Sequence, residues 1–209
     1  MSGVIGITYL HLLGALGVTA VSSVYPISKS LVAYIVEFVL LFVLLFAMLA
    51  ISAGPLKYVL FALFAIVTGQ LLAQLVEDLK EGNVLKDVLV TVAGIFLAMT
   101  AVGFYDNQNI LGFGSYLLAA LIGLIVARLL LIIGVFGGAS AGAVSSVNNI
   151  LSWVGTALFS VYVAYDTQRL KELSKARRGR GSSPDYVDAS LGLFLDAINL
   201  FQNVGDIMD

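Results

Sequence analysis

The residues of this sequence able to do chemistry are a few carboxylates and amides set among apolar neighbours. Asp196 stands near the middle of the apolar stretch Tyr186 to Met208, and Asp166 ends another such stretch at Tyr165-Asp166-Thr167-Gln168. At helical spacing Gly192, Asp196, Asn199 and Asn203 fall at i, i+4, i+7 and i+11 and share one face. Leu193, Leu195, Ala197, Leu200 and Val204 cover the rest. A carboxylate facing lipid is costly, so this stripe should turn toward other helices or a wet cavity. Two carboxylates in a low-dielectric site do not both ionise cheaply, and such a pair titrates in coupled steps around a shared proton. While they share it, a short hydrogen bond would tie the two helices together as a latch; without it, repelling anions could admit a cation. Calcium takes ~6–8 oxygen ligands, of which Asp166, Asp196, Asn199, Asn203 and waters supply only part, so binding there would be weak and transient and suit permeation. The other reading leaves Asp166 solvated at the membrane interface and Asp196 capped by neighbouring polar groups.

Two further charges lie inside apolar runs, Glu37 and Arg128. Both fall at a similar depth on the same side of the membrane, where a buried ion pair would neutralise them; its role would be structural. His11 is the only histidine and cysteine is absent, which leaves no disulfide, no thiolate metal site and no multi-histidine zinc site. A single histidine in a first membrane helix reads as packing or interfacial, and no catalytic constellation points to an enzyme. Glu77, Asp78, Glu81 and Asp87 form either a solvated loop or an acidic entrance that concentrates cations.

These groups are positioned by long apolar helices. Hydrophobic side chains make up 60% of the 209 residues and charged ones 11%, and the mean hydropathy is +1.01, outside the range of soluble domains. Seven spans are expected, forming one all-α transmembrane bundle over residues 1–209: Val4 to Val24, Leu31 to Ala53, Leu56 to Val76, Val84 to Phe104, Ile110 to Gly134, Ile150 to Asp166 and Tyr186 to Met208. No Lys or Arg precedes the first, as a secretory signal would require, so it reads as a retained helix. Gly54-Pro55 should make a tight turn. Gly137 to Gly142 is either a loop or, through Gly134 and Gly138, a close-packing helix end. Ser182 should cap the last helix, with Pro184 in its first turn.

Six of the eleven Lys and Arg residues lie between Arg169 and Pro184. Nuclear targeting or an anionic-lipid patch are readings of that segment, but the positive-inside rule suffices and holds it in the cytoplasm. With seven spans this sets the amino terminus inside and the carboxyl terminus outside. Nothing suggests nucleic-acid binding.

The sequence resembles the Bax inhibitor-1, or transmembrane BAX inhibitor motif, family. The resemblance rests on Tyr165-Asp166-Thr167-Gln168, Asp185-Tyr186-Val187 and Leu193-Phe194-Leu195-Asp196-Ala197-Ile198-Asn199-Leu200-Phe201. Phe96 to Arg128 is similar to the family's fourth and fifth helices, and Glu37 falls where members carry a second-helix glutamate. The resemblance implies seven helices around a central last helix, a pH-sensitive calcium leak, and Asp166 and Asp196 as the paired aspartates of its sensor. Calcium would be the permeant ion, with no tightly bound cofactor. Two features depart from the pattern: Lys57 is the only cation near the end of the second helix, where some members have Arg, and no charged tail follows the seventh. Short termini favour a compact prokaryotic form in the cell membrane; a eukaryotic member would sit in the endoplasmic reticulum or Golgi. A retinal protein is excluded because Tyr186 to Met208 has no lysine. An aspartyl intramembrane protease would need glycine-flanked aspartates. The rival from another class is a regulatory protein that restrains a membrane-protein partner without conducting ions, using small-residue surfaces such as Gly134 to Gly142.

Overall fold

The computed structural model describes residues 2–27, 30–105, 109–176 and 185–209. Within them lie α1 (Ser2–Val24), α2 (Leu31–Ala50), α3 (Pro55–Glu81), α4 (Leu85–Tyr105), α5 (Gly114–Phe136), α6 (Ala141–Ala176) and α7 (Tyr186–Met208), with a 3-10 turn at Ile110–Phe113 before α5. No strand occurs among the described residues. The protein is a polytopic all-α membrane protein. Helices α1 to α6 are each long and apolar enough to cross a bilayer. Helix α7 has spanning length at 23 residues but is not one of these six, because Asp188, Asp196, Asn199, Gln202, Asn203 and Asp206 interrupt its apolar sequence along the whole helix.

The turns explain where the helices stop. Ser30 caps α2 by accepting from the Ala33 N–H at 3.1 Å. Pro55 opens α3 directly after Gly54, as expected at a first helical position. Helix α3 runs through Glu77, Asp78 and Glu81, so most of the expected acidic loop is helix; Asn83, at φ 59°, turns the chain. Between α5 and α6 the loop reading holds for Gly138, whose φ is 85°. Ala139 N–H bonds to Gly134 C=O at 3.0 Å and Gly138 N–H to Val135 C=O at 3.2 Å, the paired bonds of a Schellman end. Ala141 and Gly142 already belong to α6. With 36 residues, α6 measures ~54 Å, far beyond the expected Ile150 to Asp166. Ser182, Pro184, Lys29, Asp106 and half of the basic segment lie outside the described residues. Asp185 caps α7 instead, accepting the Asp188 N–H at 3.1 Å.

The chain forms two compact units, Met1–Glu81 with Leu170–Leu195, and Gly82–Arg169 with Asp196–Asp209. In the first, α1 lies against α3. A Cβ on Gly69 would overlap the Thr19 carbonyl oxygen and the Ser22 side chain, so only glycine permits this approach. Thr19 and Ser22 hydroxyls donate to the carbonyls of Ala65 and Ile66 at 2.9 and 2.8 Å. Gln70 secures the end of α1, donating to Ser22 O and accepting from the Ile27 N–H. Phe194 of α7 meets Phe61 and Phe64 edge-on. The second unit is built on Leu117 and Leu124 of α5, Leu158, Phe159 and Val163 of α6, and Leu200 of α7, backed by Val92, Ile95, Phe96 and Met99 of α4. Most of α2 and α5 is exposed and apolar, the surface a bilayer would cover. Helix α7, by contrast, is buried on nearly every side, from Val187 through Val204.

Candidate functional site

The second unit contains both aspartates singled out in the sequence. Because α6 continues past Asp166, that carboxylate is held on rigid helix and not at a frayed end. Helix α4 braces the same turn: a Cβ on Gly103 would overlap the Ala164 carbonyl and the Thr167 side chain, which flank Asp166. Gln168 accepts the Leu111 N–H at 3.2 Å and ties down the entry to α5. Asp166 is half-buried and lies within the field of Arg169, one turn on.

Asp196 is 4% exposed. Its Oδ2 is buried with no hydrogen-bond partner among the described residues. It lies close enough to Asp166 to feel that residue's charge, and the Tyr162 phenol feels both. A buried carboxylate oxygen without a donor is expensive. No group of three or more metal-ligating side chains occurs among the described residues, so the aspartates alone make an incomplete metal site.

The remaining sequence expectations fare unevenly. Asn199 is half-buried on the same stripe. Asn203 was expected to touch a permeating cation, but its amide is committed: Oδ1 accepts from Arg128 Nη2 at 2.7 Å, and Nδ2 donates to Asn199 O at 2.6 Å. The Glu37–Arg128 ion pair is corrected. The acid facing Arg128 is Asp206, at 3.5 Å, with Ser152 Oγ accepting from Nη2 at 3.2 Å and donating to Asp206 Oδ2 at 2.9 Å. Glu37 is half-buried on α2 and forms no ion pair among the described residues. Arg128 chose Asp206 because that carboxylate and Ser152 offer oxygens on neighbouring helices of the same unit.

Sequence reasoning missed a second charged cluster, in the first unit. Lys57, only 2% exposed, places Nζ 2.7 Å from Asp185 Oδ2 and 2.6 Å from Asp188 Oδ1. Partial burial pushes the Asp185 carboxyl up, but the hydrogen bond from Lys57 and the N–H groups of Asp188 and Val187 hold it below its ordinary value. A signal was present: a lysine in the first turn of a helix opposes the helix dipole and needs a nearby anion, whereas aspartates at the start of α7 suit it. His11 adds its ring between Tyr58 and Tyr186, 5.1 and 6.1 Å away, which agrees with a packing role.

The sequence profile described as "Inhibitor of apoptosis-promoting Bax1" matches residues 1–209. The chain belongs to the Bax inhibitor-1 family. Among its relatives, the inner membrane protein YbhL of Escherichia coli is 32% identical over 154 residues, covering 72% of this chain and 62% of YbhL. An uncharacterized protein of Borreliella burgdorferi is 31% identical over 144 residues, 68% of this chain and 58% of its own length. One of Deinococcus radiodurans is 31% identical over 154 residues, 72% and 63%. The chain thus spans about three fifths of the length of the curated relatives it matches. Against this Bax inhibitor-1 background, Asp166 and Asp196 sit in the helices that carry the family resemblance.

Proposed function

We propose that this protein is a proton-regulated calcium leak in a prokaryotic cell membrane, with Asp166 and Asp196 as its gate. The observation that carries the reading is the unpartnered, buried Oδ2 of Asp196 within the field of Asp166. With one proton between them, the two carboxylates hold α6 and α7 together at this level. When that proton leaves, two anions face each other in a low-dielectric site, and the cheapest relief is a cation or a widening of the gap. Calcium is the favoured cation because the available donors are hard oxygens, and the few of them keep its residence short. The protein acts without catalysis or a resident cofactor. Its basic segment faces the cytoplasm and its amino terminus lies on the same side.

The test is calcium entry into liposomes containing only this protein, from pH 5 to 8, for wild type, Asp166→Asn and Asp196→Asn. Wild-type flux should rise with pH, and each variant should lose that dependence. Absence of flux at every pH would sink the leak and favour a protein that restrains a membrane partner.

A further inference from the structure

Arg128 is the only charged residue of α5, whose other side chains are almost all apolar. A charge there is costly unless polar partners surround it, and the partners it has are informative. The guanidinium is met by three side-chain oxygens from two other helices: Ser152 Oγ of α6 at 3.2 Å, and Asn203 Oδ1 and Asp206 Oδ2 of α7 at 2.7 and 3.5 Å. The oxygens are also aligned by one another. Ser152 donates its hydroxyl to Asp206, and Asn203 spends its Nδ2 on the Asn199 carbonyl, which leaves its Oδ1 pointing at Arg128. Gly155 supplies the room, since a Cβ there would overlap the Asn203 amide.

A carboxylate, a hydroxyl and an amide carbonyl converging on one point form a donor set that a hard divalent cation would take, with waters completing its shell. Asp196, Asn199, Asn203 and Asp206 follow one stripe of α7, so the cluster lies ~10–15 Å along the helix from Asp196. It is at the end away from the basic segment. Side-chain exposures of 34% for Arg128 and 24% for Asp206 show that this end is reachable from outside the fold.

We infer that Arg128 is a tethered cation: its guanidinium occupies a latent divalent-cation site built from Ser152, Asn203 and Asp206, and plugs the α7 stripe in series with the aspartate pair. A fixed positive charge at a constriction repels permeating cations, as arginines do in other selective pores. The plug is removable without a large rearrangement, because the bond to Asp206 is long and both groups are partly exposed. The expectation for flux rests on the leak reading above; metal binding by the variants does not.

The experiment compares wild type, Arg128→Gln, Arg128→Met, Arg128→Lys and Arg128→Gln/Asp206→Asn, each checked for monodisperse elution and wild-type helicity. Terbium luminescence in detergent and calcium flux in liposomes are read on the same preparations. Glutamine can keep the hydrogen bond to Asn203, so Arg128→Gln serves should Arg128→Met fail to fold. Both neutral variants should gain a terbium site absent from wild type, calcium should displace terbium from it, and the added Asp206→Asn should abolish it. Calcium flux should increase roughly tenfold in the neutral variants, the ratio that corresponds to ~1.4 kcal/mol, and remain within about twofold of wild type in Arg128→Lys, which keeps the charge. If wild type conducts and neutral variants change neither binding nor flux, the tethered cation is overturned and the leak stands. If wild type is silent but a neutral variant gains the Asp206-dependent site, the latent site stands and the leak reading fails. A gained site that survives Asp206→Asn would overturn the assignment of the oxygens.

Discussion

Replacing Lys57 with methionine tests whether the charged cluster at the start of α7 stabilises the fold. The substitution keeps the buried stem and removes the ammonium that lies 2.7 Å from Asp185 and 2.6 Å from Asp188. A hydrogen bond to a charged partner contributes ~1.5–3 kcal/mol when sheltered, and Asp185, at 21% exposure, is close to that limit. Asp188 is 50% exposed, so solvent screening reduces its share to below ~1 kcal/mol. Lys57→Met should therefore cost ~2–3 kcal/mol, which for a chain of this size lowers the melting temperature by roughly 5–10 °C. Asp185→Asn should cost less, ~1–2 kcal/mol, because asparagine can still cap the Asp188 N–H. Asp188→Asn should cost least. Thermal unfolding in detergent, followed by circular dichroism, measures the series. The sign of the pH dependence follows from Asp185. Its carboxyl is held below its ordinary value, so its contribution is complete above the unfolded value of ~3.9 and drains away as pH falls through the native one. Wild type should lose stability on the acid side faster than Asp185→Asn does. A melting temperature for Lys57→Met within about 1 °C of wild type, or a greater cost for Asp188→Asn than for Asp185→Asn, would refute this account.

Asp196→Asn removes a buried charge whose Oδ2 has no donor, so it should be neutral or raise stability by up to ~2 kcal/mol in the same melts, the reverse of a structural aspartate; a clear loss would mean that Asp196 is a packing element. Gly69→Leu drives a side chain into the Thr19 carbonyl and Ser22, and should destabilise by ~2 kcal/mol or more, whereas Gly14→Leu, where a Cβ meets nothing within 4 Å, should be tolerated. Equal melting temperatures for the two glycine variants would contradict the close approach of α1 and α3.

The periodicity of apolar residues made the helices legible, and their order with them. The α7 bounds expected from Tyr186 and Met208 agree with those observed, because Asp185 and the polar stretch before it leave no other start. The expected α6 is far too short, because Tyr165-Asp166 looks like a membrane boundary, while a helix held by backbone hydrogen bonds need not stop at such a boundary and continues through Arg169 and Lys175. Asp166 and Asp196 were legible as a pair because adjacent helices carrying costly charges must satisfy them together. The partners of Lys57 and Arg128 were not. Each charge had several acids within plausible reach, and the choice among Glu37, Asp206, Asp185 and Asp188 depends on helix rotation, which sequence periodicity constrains poorly for helices apolar on all sides.

The polarity of α7 also bears on how the protein enters its membrane. An aspartate near the centre of a helix costs ~2.5–3.5 kcal/mol on insertion scales, and α7 carries Asp196 there, with Asp188 and Asp206 nearer its ends. Helices α1 to α6 can partition into lipid on their own hydropathy, but α7 would be rejected by lipid if it arrived first. It is synthesised after them, when Lys57, Arg128 and the small-residue faces are already in place to receive it. The side chains that make α7 unfit for lipid thus make its insertion depend on docking against helices that precede it along the chain.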